Sequence, residues 1–213
     1  MKLPFQIVEE TDDWIAVVKP AGLLVERSPY FPSVEEYLIE YFSQKKKKPF
    51  VGVVHRLDRL VGGILLFAKK KSTLKILNEA FQNRKVKKFY KAILENNPPS
   101  PKGILTHWIE KDRKNKRAIP HPKHHEQGKQ SILKYNVEQT DEKGTLVNIQ
   151  LVTGRFHQIR AQFSANSCPI IGDEKYGAKT AFAENAIGLF SYRLIIESQT
   201  INLEVELPSS FSL

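Results

Sequence analysis

Residues 53–63 read Val53-Val54-His55-Arg56-Leu57-Asp58-Arg59-Leu60-Val61-Gly62-Gly63, and this stretch decides how the chain folds. It sets one carboxylate between two arginines, where a run of apolar residues meets a pair of glycines. Phe50 to Leu57 predicts one short strand and Ile64 to Ala68 predicts another, so Asp58 should lie on the turn that joins them. Turns held by rigid strands often carry chemistry.

Two interpretations of Asp58 follow from this pattern. Alternation along the first predicted strand places Arg56 and Asp58 on one face, with His55 and Leu57 on the other. A nearby cation keeps the acid ionised, and an ionised aspartate suits a nucleophile better than a proton donor. A plain Arg–Asp ion pair that pins the turn uses the same residues, and the pattern alone leaves both interpretations open.

The composition indicates a basic protein with one hydrophobic core. The chain has 213 residues, of which 41% are hydrophobic, and we expect them to form a single domain. The balance of 33 Lys and Arg against 23 Asp and Glu gives a net charge of +10. This charge predicts a polyanionic partner, first of all nucleic acid, although a merely soluble basic surface would have the same charge.

Neither disulfides, nor a metal, nor a membrane segment is expected. Cys168 is the only cysteine in the sequence, and we expect it to be a small buried hydrophobe. His55 and His157 suggest metal ligands, but no third-ligand spacing supports zinc, so both are predicted to be structural. The N-terminal segment has no apolar h-region and no window approaches the length of a membrane span, which predicts a cytoplasmic protein.

Hydrophobic periodicity predicts a mixture of strands and short helices. Strands are expected at residues 7–8, 14–18, 89–94, 104–105, 132–133, 146–152 and 201–207. Helices are expected from residue 34 until Lys45 to Lys48 and Pro49 close the first, at 72–85, and from 156 to about 166. Ser33 and Glu36 form a capping box for the first helix. Residues 111–129 are rich in Lys, Arg and His with almost no aliphatics, so an exposed, partly disordered excursion is expected there.

Three stretches, in this order along the chain, resemble the motifs of the RluA-type pseudouridine synthases. They are His55-Arg56-Leu57-Asp58-Arg59, Lys88-Phe89-Tyr90-Lys91-Ala92, and Thr153-Gly154-Arg155-Phe156-His157-Gln158-Ile159-Arg160. Flanking stretches at residues 19–24, 169–173, 175–178 and 189–194 also resemble that family. The resemblance implies an enzyme that isomerises uridine to pseudouridine in rRNA or tRNA. It also implies an α+β fold with a curved, mixed, mainly antiparallel sheet, flanking helices and a central active-site cleft.

The resemblance assigns roles residue by residue. The family's nucleophilic aspartate falls on Asp58, its active-site tyrosine on Tyr90, and the arginine that pairs with the aspartate on Arg160. Arg56 falls on the position implicated in filling the gap that a flipped base leaves. Leu189 lies in the segment that supplies an apolar wall of the uracil pocket. No cofactor and no metal is implied, and a monomer is expected.

Further basic residues are expected to contact RNA. Arg155 lies near a predicted helix N-terminus, where a bound phosphate would offset its charge. Arg59 flanks the candidate nucleophile, and Lys114, Lys116 and Arg117 belong to the basic excursion. Family members often carry an extra small N-terminal RNA-binding domain, whereas this chain begins almost directly at the predicted catalytic hairpin. RNA recognition is therefore expected to rest on one catalytic domain over residues 1–213.

Some features point elsewhere. Val61 and Gly62 stand where Thr and Ser are common in the family, and Phe156 stands where Thr is common. A glycoside hydrolase also acts at an anomeric carbon, but it normally needs a second carboxylate, which the motifs do not supply. A catalytically silent RNA-binding relative or RNA chaperone is a stronger alternative than a glycoside hydrolase. The family's three site residues are all present, and this argues for retained chemistry.

Overall fold

The computed structural model describes residues 2–44 and 47–212, and these residues divide into two compact units. Unit 1 comprises the chain up to Val86 together with Ser191–Glu206, and unit 2 comprises Lys87–Phe190 together with the chain from Leu207. The expectation of a single domain over residues 1–213 stays a prediction.

Strands and three α-helices follow one another along the described chain. In order they are β1 (Gln6–Glu10), β2 (Trp14–Lys19), α1 (Val34–Ser43), β3 (Gly52–Val53), β4 (Gly62–Ala68), α2 (Lys71–Gln82), β5 (Lys87–Leu94), β6 (Lys102–Asp112), β7 (Arg117–His121), β8 (Lys129–Asp141), β9 (Gly144–Leu151), α3 (Gln158–Ala165), β10 (Leu189–Ile196) and β11 (Ile201–Glu204). The predicted α+β class is confirmed. No helix in residues 2–44 and 47–212 has the length and apolar character needed to span a bilayer.

Unit 1 is a small sheet covered by α2. Its strand order is β1-β2-β4-β10, with β3 beside β4 and β11 beside β10. β2 pairs antiparallel with β4, from Trp14 opposite Ala68 to Lys19 opposite Gly63. The apolar face of α2 buries Leu77 against this sheet. Ser33, predicted to open a capping box, is the N-cap of α1: its hydroxyl accepts the Glu36 backbone N–H and donates to the Glu36 carboxylate.

The strand predicted from Phe50 to Leu57 is wrong in extent. Only Gly52–Val53 pairs with β4, and residues 54–58 leave the sheet. The reason lies in His55, whose Nε2 accepts the backbone N–H of Leu66 at 3.2 Å. This imidazole takes the place of a carbonyl that a continuing strand would offer, so the alternation predicted for Arg56 and Asp58 does not apply. His55 is a structural residue, as predicted.

Unit 2 is an antiparallel sheet with the strand order β5-β9-β8-β6-β7. The basic segment 111–129 is not the irregular excursion that its composition suggested, because much of it forms the β6–β7 hairpin. Asp112 lies opposite Arg117 at the closed end of this hairpin. The Asp112 carboxylate accepts hydrogen bonds from the backbone N–H of Asn115 at 3.0 Å and from its side-chain amide at 2.7 Å. These hydrogen bonds lower the pKa of Asp112 and order the turn.

Candidate active site

Asp58 lies on a short, tightly bonded turn immediately before β4. Its carbonyl accepts the N–H of Val61 at 3.0 Å, and the carbonyl of Arg59 accepts the N–H of Gly22 at 2.8 Å. The predicted position of Asp58, on a turn that leads into a buried strand, is thereby confirmed. Asp58 is half-buried, on a backbone that these hydrogen bonds hold in place.

Lys19, at the end of β2, is a fully buried residue beside this turn, with 0% of its surface exposed. Its ammonium donates hydrogen bonds to three backbone carbonyls: Pro20 at 2.9 Å, Leu23 at 2.9 Å and Arg59 at 3.1 Å. Sequence reasoning noticed the stretch from Lys19 as a family resemblance but assigned Lys19 no role. The sequence feature that could have indicated a buried lysine is its position, directly after the apolar strand Trp14–Val18.

The charge of Lys19 interacts with the charges around Asp58. Burial lowers the pKa of Lys19 to about 7, while the negative charge of Asp58 acts to raise it and the positive charge of Arg59 to lower it. Removing an ammonium from water disfavours its charged form, and a nearby carboxylate partly compensates. In its protonated form, Lys19 therefore attracts the Asp58 carboxylate from within unit 1.

The two arginines that flank Asp58 have different surroundings. The Arg56 guanidinium forms an ion pair with Glu26 at 2.9 Å, and both side chains are more than half exposed. Such a pair is worth at most about 1 kcal/mol, so a phosphate or a base can replace Glu26. The Arg59 guanidinium lies over the ring of Phe31, 5.3 Å from its centroid. Phe31 and its neighbour Tyr30 are exposed aromatics that sequence reasoning missed.

The departures at Val61 and Gly62 leave the start of β4 well packed. Val61 is 2% exposed, so an apolar contact stands where the family commonly has a hydroxyl. Gly63 has a φ of 125°, and a Cβ there would lie 2.2 Å from the carbonyl oxygen of Ser191. Gly63 is thus required by the close approach of two backbones in unit 1.

Tyr90 and Leu189, the two predicted pocket residues of unit 2, are both buried. Tyr90 lies on β5 opposite Ile149 and is 6% exposed. Leu189 is the first residue of β10 and is 4% exposed. Their burial agrees with an apolar wall, while their roles toward a substrate stay predictions.

Arg160, on the buried helix α3, forms a two-point ion pair with Asp173. The Arg160 Nε donates to Oδ2 of Asp173 at 2.6 Å and Nη2 donates to Oδ1 at 2.8 Å. Arg160 is 4% exposed and Asp173 is 1% exposed, so the pair is fully desolvated. Sequence reasoning quoted the stretch ending at Asp173 but did not foresee this role for the aspartate. The predicted pairing of Arg160 with Asp58 stays a prediction.

Arg155 and Lys88 form a second group of positive charge in unit 2. Burial and the positive charge of Arg155 together lower the pKa of Lys88 to about 8. A Cβ at Gly154 would lie 2.8 Å from the Lys88 ammonium, so the glycine lets the backbone approach this lysine closely. An anion bound there would relieve the repulsion between the two cations. This arrangement favours the phosphate contact predicted for Arg155.

The closed end of the β6–β7 hairpin carries Lys114 and Lys116 in the turn and Arg117 at the start of β7, all exposed. The Arg117 guanidinium lies 5.6 Å from the ring centroid of Tyr176. The hydroxyl of Tyr176 accepts the backbone N–H of Ala118 at 2.7 Å, and it also lies 2.9 Å from the ring of His157. His157 is therefore a structural hydrogen-bonding residue, as predicted. RNA contacts by the three basic residues stay predictions.

Phe156, the third departure from the family pattern, packs instead of hydrogen bonding. Its ring stacks on His157 with centroids 3.8 Å apart, and the Lys111 ammonium lies 4.7 Å from the Phe156 centroid. Phe156 also extends the small cluster formed by Ile109 and Ala118. It therefore fastens the segment before α3 to the β6–β7 hairpin.

Comparisons with known proteins agree with these motifs. Residues 13–165 match the family model described as RNA pseudouridylate synthase. Ribosomal large subunit pseudouridine synthase D of Borreliella burgdorferi is 30% identical over 205 residues, which cover 92% of this chain and 62% of that protein. Ribosomal large subunit pseudouridine synthase C of Buchnera aphidicola is 32% identical over 201 residues, covering 92% and 61%. The chain thus spans about three-fifths of the length of these relatives.

Solved structures show the same fold. The human RNA pseudouridylate synthase domain containing 4 superposes with a TM-score of 0.81 at 23% identity, covering 96% of this chain and 89% of that one. The human RNA pseudouridylate synthase domain containing 1 gives a TM-score of 0.76 at 22% identity, covering 98% and 84%. The predicted fold is confirmed.

Proposed function

Because this chain belongs to the RNA pseudouridylate synthase family, of the RluA type, we propose that it isomerises uridine to pseudouridine in RNA. The observation that carries the proposal is Asp58, which lies within the matched residues on a turn held over the buried ammonium of Lys19. A protein that only binds RNA has no use for a carboxylate among phosphates. Retention of Asp58 therefore favours catalysis over a silent RNA-binding relative.

In the proposed reaction Asp58 acts as the nucleophile. Isomerisation breaks the bond from N1 to C1′, turns the uracil and joins C5 to C1′. A carboxylate can bond covalently to the sugar or the base, and removal of a sugar proton is its other possible use. The hydrogen bonds of Lys19 and Gly22 to the Arg59 carbonyl support this role, because they preorganise the turn before substrate binds. The rearrangement consumes no electrons and no co-substrate, so the proposal includes no cofactor.

Tyr90 and Leu189 are proposed to contact the uracil. An aromatic ring can stack on the base, and the Tyr90 hydroxyl can move a proton at the end of the reaction. The apolar side chain of Leu189 would help to exclude water, which would otherwise capture the sugar at C1′. Their burial supports both roles. Arg160 is proposed to orient the carboxylate of Asp58, as the resemblance implies.

The positively charged and aromatic residues are proposed to hold the RNA. A uridine inside structured RNA must leave its stack, and Arg56 can partly fill the gap since its partner Glu26 is weakly held. Tyr30 and Phe31 are exposed and can stack on neighbouring bases. Arg155 beside Lys88 is proposed to bind a phosphate.

We propose RNA of the large ribosomal subunit as the first substrate to test, because both quoted bacterial relatives carry that substrate in their names. Transfer RNA is the second. The purified protein should be incubated with each RNA, followed by chemical labelling and mapping of pseudouridine at single-nucleotide resolution. The same map should be made in cells with and without the gene. If no uridine changes in either experiment, the proposed activity is refuted.

A further inference from the structure

Three side chains that the proposed reaction does not use meet beside the β6–β7 hairpin. They are Glu110 on β6, His121 at the end of β7, and His125 in the turn before β8. One oxygen or nitrogen from each lies within 4.8 Å of the other two, and all three side chains are half-buried. We refer to these three residues as the His–Glu cluster.

The register of the hairpin explains why Glu110 and His121 are neighbours. Trp108 lies opposite His121, and Glu110 lies opposite Ile119. Opposed residues of an antiparallel pair point to the same face, and so do residues two apart on one strand. Glu110 and His121 are therefore diagonal neighbours on one face of the hairpin. Because the two residues are 11 positions apart, the sequence alone does not show that they are neighbours.

His125 reaches the same place through the turn that precedes β8. The backbone N–H of Gly128 donates to the carbonyl of His125 at 2.9 Å and closes that turn. The imidazole of His125 lies parallel to that of His121, with centroids 3.8 Å apart and an interplanar angle of 2°. Nε2 of His121 is 3.1 Å from Oε2 of Glu110, and Nδ1 of His125 is 3.8 Å from the same oxygen.

These separations match the needs of a four-coordinate metal ion. Zn²⁺ bonds of about 2.0 to 2.1 Å at tetrahedral angles hold neighbouring ligand atoms about 3.4 Å apart. The observed nitrogen-to-oxygen distances of 3.1 Å and 3.8 Å lie on either side of that value. The two imidazole planes are parallel, whereas a zinc ion lies close to the plane of each ring that binds it, so at least one ring must also turn about its Cβ–Cγ bond for both nitrogens to face one ion.

A second observation also points to a bound ion. Nδ1 of His125 is buried and makes no hydrogen bond to any of the described residues. Buried polar atoms are nearly always satisfied, so such a nitrogen calls for an explanation. A proton shared between His121 and Glu110 accounts for that pair alone and leaves His125 unexplained. Protonating both imidazoles would place two positive charges face to face, which is unfavourable.

We propose that Glu110, His121 and His125 bind one Zn²⁺ ion. Two imidazole nitrogens and one carboxylate oxygen are a ligand set that zinc favours, and three protein ligands leave one position for water. The ion would join β6, the end of β7 and the turn at residues 122–128. It would thereby fasten the histidine-rich end of the basic segment to the sheet of unit 2.

Zinc titration of the full chain tests this proposal. Protein treated with a chelator and then dialysed should bind one Zn²⁺ per chain saturably by calorimetry. Zinc should also slow tryptic cleavage after Lys123, which lies in the turn that the ion would hold. A wild-type protein that shows no saturable zinc binding would overturn the proposal, whatever the variants do.

Two variants locate the site. Glu110→Gln keeps the shape but removes the charge, and His125→Phe keeps a ring on His121 but removes Nδ1. Each should weaken zinc binding at least about tenfold, the loss that even outer partners of a metal can cause. The matched controls are Glu126→Gln and His124→Phe, which change neighbouring residues outside the cluster and should bind zinc as the wild type does. Unchanged zinc affinity in both cluster variants would show that the ion binds elsewhere.

Discussion

The ammonium of Lys19 donates a hydrogen bond of 3.1 Å to the backbone carbonyl of Arg59, 40 residues further along the chain. This bond joins the end of β2 to the turn that presents Asp58. A fully buried lysine is unusual, because its charge must leave water and its three protons need acceptors. Here backbone carbonyls supply those acceptors, and the charge of Asp58 compensates part of the desolvation.

Lys19→Met should destabilise the protein. The substitution keeps an unbranched side chain but removes the ammonium donor from the carbonyls of Pro20 and Leu23, and each buried unsatisfied group costs about 1–3 kcal/mol. The Arg59 carbonyl keeps the Gly22 N–H as its donor. We expect the free energy of unfolding in urea to fall by a few kcal/mol. Lys70→Met is the control, because Lys70 forms an exposed ion pair with Asp13 worth at most about 1 kcal/mol.

The same substitution should change how stability depends on pH. Burial lowers the pKa of Lys19 to about 7 in the folded protein, whereas an unfolded chain has the ordinary value of 10.5. Between these values the unfolded chain binds the proton and the folded protein does not, so the wild-type free energy of unfolding gains a contribution that rises with pH. The free energy of unfolding of Lys19→Met, measured in urea at several pH values between about 7 and 10.5, should lack that rise. Identical pH profiles would contradict the lowered pKa.

Asp58→Asn should lower the rate of pseudouridine formation by roughly a thousandfold or more, as expected for loss of a catalytic nucleophile. RNA affinity should stay the same or rise, because a carboxylate near phosphates is removed. Single-turnover rates and RNA binding, measured on the same preparation, check both expectations. Asp12→Asn, at an exposed turn, is the control. Substantial turnover by purified Asp58→Asn would rule out the proposed role.

Tyr90→Phe should slow turnover by about a hundredfold or more while RNA affinity changes little. The ring that stacks on the base remains, whereas the hydroxyl that moves a proton is lost. Tyr90→Leu removes both and should reduce rate and affinity together. If the Phe variant reacts at the wild-type single-turnover rate, Tyr90 is only a packing residue of β5.

Arg160→Lys should lower both activity and stability despite keeping a positive charge. Lysine lacks the planar fork that donates two hydrogen bonds to Asp173, and breaking a buried pair costs up to about 3–5 kcal/mol. Asp173→Asn weakens the same pair but leaves the guanidinium in place. If Arg160 also orients Asp58, Arg160→Lys should lose more single-turnover rate than Asp173→Asn does. Equal losses of rate in the two variants would mean that Arg160 acts only through its ion pair with Asp173.

Replacing Lys114, Lys116 and Arg117 together by Gln tests the basic hairpin. If these residues contact RNA phosphates, each lost contact reduces the slope of log affinity against log salt by roughly 0.7 to 0.9, so the slope should flatten by about two. Affinity should fall for most RNAs alike, and the rate on saturating substrate should survive. Lys2, Lys47 and Lys48, changed together, remove the same charge elsewhere and serve as control. An unchanged slope would exclude the hairpin from RNA binding.

Local sequence patterns were sufficient for much of the fold and for the position of Asp58. The unbroken apolar run at residues 64–68 and the helical spacing around Leu77 predict β4 and α2, because both signals belong to consecutive residues. Such patterns overestimated the strand before Asp58, since they cannot show that the imidazole of His55 replaces a backbone acceptor. Composition likewise suggested disorder in residues 111–129, where the pairing of β6 with β7 imposes order.

The chain's own sequence thus determined its family, its α+β class and the turn that carries the candidate nucleophile, because these depend on motifs and on local periodicity. The tertiary structure alone decided that Lys19 is buried against Arg59, that Arg160 pairs with Asp173, and that Glu110 meets two histidines. Each of these contacts joins residues far apart in sequence. Strand register and burial bring them together, and both arise only when the sheets form.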